Sequence, residues 1–257
     1  MKFFKAFVFV FSVLSSLNAV SCVLPESKAF PAITAGNAAI VFDFVAVEDE
    51  TGSAFAEGDK QVGIDINLFD CEDGTKKLIG QLPFLADTGK VKAAFFTNIE
   101  PNNDKRLFVI HGVEIRSDTG ERYSGDYYTV QVYKPVNDRY VEDDKLSGYF
   151  GYGADVLDKE NKIVYTFPYK TEKSIVSRLN SKGFDDWRSG ASIKLKVNKK
   201  TYIHNSPVVS DITKMYLIVG DEVEQKAMEA GWVSIVYTSA KGKKISGWVL
   251  CADLDKC

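Results

Sequence analysis

Histidine is almost missing from this chain of 257 residues, which has only His111 and His204. Secreted hydrolases commonly use histidine as a base or as a zinc ligand. His111 closes the apolar run Leu107–Ile110 ahead of Gly112 and reads as the end of a strand. No His-Glu-x-x-His pattern, no Gly-x-Ser-x-Gly elbow and no phosphate-binding glycine loop occurs. An excess of positive charge is missing too. The formal net charge is −3, which leaves no polybasic footprint for nucleic acid, and the lysines between 194 and 200 read as a solvated face. After the N-terminus no apolar run is long enough to cross a bilayer. What remains is an ordinary folded composition, 45% apolar and 26% charged, long enough for one large or two small domains.

Residues 1–21 have the form of an export signal: Lys2 and Lys5, a short apolar stretch from Ala6 to Leu17, then the small residues Ala19 and Ser21. The mature chain is therefore expected to be exported to the periplasm. Ala19-Val20-Ser21-Cys22 resembles a bacterial lipoprotein processing site, which makes Cys22 a candidate lipid anchor. It departs from that pattern in having Ala19 where leucine is commonest. The alternative is a disulfide framework. Cys22, Cys71, Cys251 and Cys257 form an even set, as oxidising compartments favour. Cys251 with Cys257 would staple the C-terminus, leaving Cys22 for Cys71.

Period-two patterns predict strands over 38–47 and 61–69, with Val62, Ile64, Ile66 and Leu68 on one face. A return strand is expected from Lys77 until Pro83 interrupts it. Residues 25–36 read as an irregular lead-in. Strands follow at VKAAFF, LFVIH and DYYTVQVYK, and 91–153 resembles one blade of the FG-GAP β-propeller repeat. That repeat implies calcium in a loop here occupied by Asn98, Glu100 and Asn102. Arg106 stands where a late acidic ligand is expected, so no metal is predicted. Residues 171–183 predict a helix, with Thr171 as N-cap and Gly183 just past the end. Residues 184–190 then read as a link. The expected architecture is mainly β: an antiparallel domain over 37–183 with one C-terminal helix, then a small β-barrel over 191–257.

The barrel rests on GWVSIVYTSAKGKKISGWV, where Gly231-Trp232 and Gly247-Trp248 bracket two apolar strands around a Lys241-Gly242 turn. Residues 199–254 resemble the bacterial SH3-like domain, which envelope proteins use to hold cell-wall peptides or protein partners. That resemblance makes Tyr202, His204, Trp232, Tyr237 and Trp248 candidate binding residues, with the two tryptophans open to either a core or a groove role. A tyrosine-rich run, including Tyr127 and Tyr128, supplies rigid amphipathic contact groups in the first domain. Catalysis is not expected. The one conceivable nucleophile, Cys71, sits in an Asp-Cys-Glu-Asp turn that disfavours a thiolate. The expected function is binding in the cell envelope, without a cofactor. Two alternatives stay open: a periplasmic immunity protein that neutralises a secreted toxin, and a cell-wall hydrolase.

Overall fold

A computed structural model describes residues 22–47, 61–99, 105–115 and 121–256. The export segment, the acidic stretch 48–60, Glu100, Asn102 and Cys257 lie outside the described residues. Within them the chain is mainly β, arranged in three antiparallel sheets, and no helix is long and apolar enough to cross a membrane.

The first sheet runs in chain order: β1 (Phe30–Ala35), β2 (Ala38–Ala46), β3 (Val62–Asp70) and β4 (Lys76–Gln81). β1 falls inside the expected irregular lead-in. It forms because Gly36, at φ +67°, turns the chain in two residues and pairs Ala35 with Ala38. The Gly36-Asn37 dipeptide is the signal for that hairpin. On β3 the predicted alternation holds at Ile64 and Ile66, both buried. Cys22 is bonded to Cys71, which ties the start of the described chain to the turn after β3. Cys251 is also disulfide-bonded; its expected partner, Cys257, lies outside the described residues.

The middle sheet contains β5 (Lys90–Asn98), β6 (Lys105–Glu114), β7 (Arg122–Val136), β8 (Arg139–Glu142), β9 (Tyr152–Leu157) and β10 (Ile163–Tyr165). Its order is β10-β9-β7-β6-β5, with β8 added on β7. β6 explains its own sequence. Leu107 and Val109 enter an apolar cluster with Ile40, Phe42 and Ile66 of the first sheet. Phe108 and Ile110 point the other way, into a second cluster with Phe150, Phe184 and Val233. A strand covered on both faces needs a continuous apolar run rather than alternation. Each such side chain contributes about 1.5–3 kcal/mol on burial.

Three α-helices are present among the described residues, where one was expected. α1 (Asp144–Phe150) is capped by Asp143, whose carboxylate accepts from the Leu146 amide. The predicted helix at 171–183 is two: α2 (Glu172–Leu179), with Thr171 as its cap, and α3 (Lys182–Arg188). Ser181 accepts from the Phe184 amide and so restarts the helix, converting the expected link at 184–190 into α3. Ile175, Leu179 and Phe184 anchor both helices in the second apolar cluster, which runs on without a break into the C-terminal sheet.

That sheet holds β11 (Lys194–Lys196), β12 (Thr201–His204), β13 (Ile212–Leu217), β14 (Glu222–Glu229), β15 (Trp232–Thr238) and β16 (Lys244–Leu250). Its order is β11-β14-β15-β16-β12-β13. β11 and β13 do not pair with each other, so the hydrogen bonding leaves the sheet open rather than closed into a barrel. The predicted terminal hairpin is present, with Thr238 opposite Lys244, and a 3₁₀ turn over Cys251–Asp253 follows it.

The two Gly-Trp pairs mark two close approaches. Ala230 and Gly231 take positive φ values of 50° and 81° and make the two-residue turn from Glu229 to Trp232. A Cβ on Gly231 would come within 2.8 Å of Pro168. A Cβ on Gly247 would lie 2.3 Å from Ile203 Cγ2 and 2.7 Å from the His204 carbonyl oxygen. The carbonyl cannot step aside as a side chain can. Gly247→Ala is therefore expected to cost about 2–3 kcal/mol. Gly242→Ala meets open space at a φ of +78° and should cost only about 1 kcal/mol, for its left-handed backbone. Urea unfolding of the two variants checks the difference.

Candidate functional site: an aromatic cleft between two sheets

β7 is the first wall. Its register against β9 jumps between Ser124 and Tyr128, and Gly125, at φ +77°, takes the dihedral that the bulge requires. Around the bulge Tyr123 and Tyr127 meet edge to face at 5.7 Å. Tyr127 also stacks on Tyr152 of β9 at 6.0 Å. Tyr152 is 57% exposed, so the stack opens to solvent.

The second wall is the β14–β15 hairpin. Trp232 is only 2% exposed. Its indole stacks on Tyr165 at 5.6 Å and receives the His204 ring edge-on at 4.9 Å. The Tyr165 hydroxyl donates to the Ala230 carbonyl at 2.6 Å, which fastens β10 to the hairpin turn. Between the walls lies a cavity of about 120 Å³ lined by Tyr127, Tyr152, Tyr165, Trp232, Glu121 and Glu229 among others. It adjoins a larger recess of about 640 Å³ that shares Glu121 and Trp232 and is also lined by His204 and Ile212.

The electrostatics of the inner cavity are one-sided. No lysine or arginine lines the inner cavity. Glu121 accepts a hydrogen bond from the Ser210 amide at 2.7 Å, which ties the start of β7 to the loop after β12. The Glu229 carboxylate makes no hydrogen bond or ion pair among the described residues, and burial alone raises it above the ordinary range. Burial is also the main reason the Tyr123 and Tyr127 phenols are raised, with Glu121 adding repulsion at both. The inner cavity offers aromatic rings and two carboxylates without a cation, whereas the adjoining recess carries both signs, with Arg122 and Lys159 beside Asp158 and Glu121.

Three of the residues singled out in the sequence, Tyr127, His204 and Trp232, come together here. The other four lie elsewhere. Tyr128, on the opposite face of β7 from Tyr127, stacks on Phe167 at 6.1 Å. Tyr202 is exposed and meets Tyr216, with the Lys200 ammonium over both rings. Tyr237 reaches Asp221 at 3.4 Å. Trp248 is half-buried on β16 opposite Ser234 and does not line the cleft. The reading missed Tyr165 and Glu229. A hairpin turn placed at Ala230-Gly231 would have put Glu229 directly across from Trp232. Nothing local marks Tyr165.

A further cavity, of about 660 Å³, lies on the other side of the hairpin and is lined by Arg178, Lys199 and Asp253. Its charged groups are engaged within the protein. Lys199 Nζ sits 2.8 Å from Asp253 Oδ1, near enough for an ion pair though not aligned as a hydrogen bond. Arg178 donates to the Tyr149 hydroxyl and to Met228 Sδ.

His111 is 1% exposed on β6 and takes no part in the cleft. Its Nε2–H donates to the Thr88 carbonyl at 2.9 Å, and Nδ1 has no hydrogen-bond partner among the described residues. Burial lowers its pKa below 6.5, Lys92 adds to the effect, and the Thr88 bond and Asp126 oppose it. Because the unfolded chain then binds the proton more readily, the stability that neutral His111 contributes is present above about pH 6.5 and is lost as pH falls below it. His204 is shifted in the same direction, again mainly by burial. Urea midpoints should therefore drop on mild acidification, and by less in His111→Gln.

No protein-family model, no curated protein and no solved structure matches this chain.

Proposed function

We propose that this is a non-catalytic binding protein of the bacterial cell envelope that holds a cell-wall peptide or a protein segment in the aromatic cleft. The observation that carries this reading is the meeting of Tyr127 and Trp232. They come from distant stretches, each expected on its own grounds to supply a binding surface, and they line one cavity. Rigid aromatic groups in a half-open recess are the usual anchors of such sites. The envelope setting rests on the export-type leader, the SH3-like resemblance of residues 199–254 and the Cys22–Cys71 disulfide. A binding role also suits what the remaining chemistry lacks. Cys71 is held in a disulfide and His111 is buried beneath its neighbours, so the pair considered for a cell-wall hydrolase offers neither a thiol nor an accessible base.

The test is co-purification from the envelope fraction, with peptidoglycan fragments assayed alongside proteins. A partner recovered with the native chain and lost with Tyr127→Leu/Tyr152→Leu supports the reading. A partner retained equally by both excludes the cleft. If the partner so lost is a secreted toxin, the immunity-protein alternative replaces the cell-wall one at the same surface.

A further inference from the structure

Resting on that reading, we infer that the inner cavity of the cleft is a cage for a primary ammonium group, such as a lysine side chain of a basic peptide. Three features that the cleft reading does not require point to it. The walls are aromatic: Tyr127, met edge to face by Tyr123 and stacked on Tyr152, on one side, and Tyr165 stacked on Trp232 on the other. An aromatic face attracts a cation through its quadrupole, most strongly when water is excluded. The acidic groups in the cavity are Glu121 and Glu229, with no lysine or arginine to neutralise them. The volume, about 120 Å³, suits a side-chain head and not a whole residue.

Glu229 is the more telling of the two acids. Glu121 is already held by the Ser210 amide. The half-buried Glu229 carboxylate has no hydrogen bond or ion pair among the described residues, and it is raised by burial with nothing opposing the shift. For an acid whose folded pKa is raised, stability falls as pH rises through that pKa. In its ionised form this carboxylate is therefore a cost to the empty protein. A half-buried carboxylate is incompletely solvated, and an incoming ammonium would compensate for the lost water. The adjoining recess, apolar at Val156, Leu157 and Ile212 and carrying Arg122 and Lys159 beside Asp158, would take the backbone of the ligand rather than a second basic side chain.

The probes are Nα-acetyl-lysine amide and the neutral Nα-acetyl-norleucine amide, titrated at millimolar concentrations while the Trp232 indole resonance is followed by NMR. The lysine probe is expected to bind at least about tenfold more tightly than norleucine. Glu229→Gln should remove that preference while melting no lower than the native protein. Glu224→Gln, on the same strand but paired with Lys226, should keep it. Equal shifts from both probes would overturn the ammonium cage and leave the cleft as a binding site. An unchanged preference in Glu229→Gln, or no shift from either probe, would also overturn it. The broader reading is decided separately, by the co-purification.

Discussion

Trp232→Ala is expected to lose about 3–5 kcal/mol of unfolding free energy, the cost of truncating a large aromatic in a close-packed interior. Trp232 is among the largest fully buried side chains of the protein. Its loss removes the ring partner of both Tyr165 and His204 and enlarges the cavity that it lines. Trp232→Phe keeps a ring in place and should lose about 1–2 kcal/mol. Urea denaturation followed by far-ultraviolet circular dichroism separates the two outcomes. A loss below about 1 kcal/mol in Trp232→Ala would mean that the indole is not part of the core. The sequence left Trp232 open between core and groove. The structure buries it and at the same time sets it in the lining of the cleft.

The second large effect concerns the Cys22–Cys71 bridge. It closes a loop of 49 residues, and restricting the unfolded chain to that extent contributes up to about 4 kcal/mol. Cys71→Ser, or reduction of the native protein, is expected to lower stability toward that limit. Structurally, it frees the segment before β1, where Ser27 exchanges hydrogen bonds with both the amide and the carbonyl of Phe42. The same bond bears on the lipid question, since a Cys22 sulfur joined to Cys71 cannot also carry a thioether lipid. Native protein unfolded without reductant should show no reactive Cys71 thiol. A reactive Cys71 would contradict the bridge and leave the Cys22 sulfur open to a lipid.

Much of the strand pattern was legible in the residues, and the reasons are local. The alternation of β3, the continuous apolar run of β6 and the terminal hairpin from Trp232 to Leu250 each state their own environment. The helices were less legible. Ser181 restarts a helix that looks continuous when only Ile175, Val176 and Leu179 are followed. α1 is seven residues long, too short to establish a period, and its Asp143 cap is a weak signal by itself. β1 was obscured by Pro31, although Gly36-Asn37 announced its turn.

The cleft was half visible. Tyrosine and tryptophan suggested contact residues, but only the fold decides which face each occupies. Tyr127 and Tyr128 are neighbours in the chain and reach opposite sides of β7. Nothing in the sequence sets Glu229 apart from the other acids. Its character comes from the Ala230-Gly231 turn, which sets it beside Trp232, and from Gly151, whose missing Cβ lets Ala230 approach. Those are long-range facts.

The most direct test of the cleft as the binding site is a photo-crosslinking phenylalanine analogue placed at Tyr127, in cells, with a control at Leu78. Leu78 is 65% exposed on the first sheet, away from the cleft. The binding reading predicts a discrete adduct to one protein or cell-wall fragment from position 127, and none from position 78. Equal labelling from both positions, or no adduct from 127 while the protein is folded and exported, would contradict it.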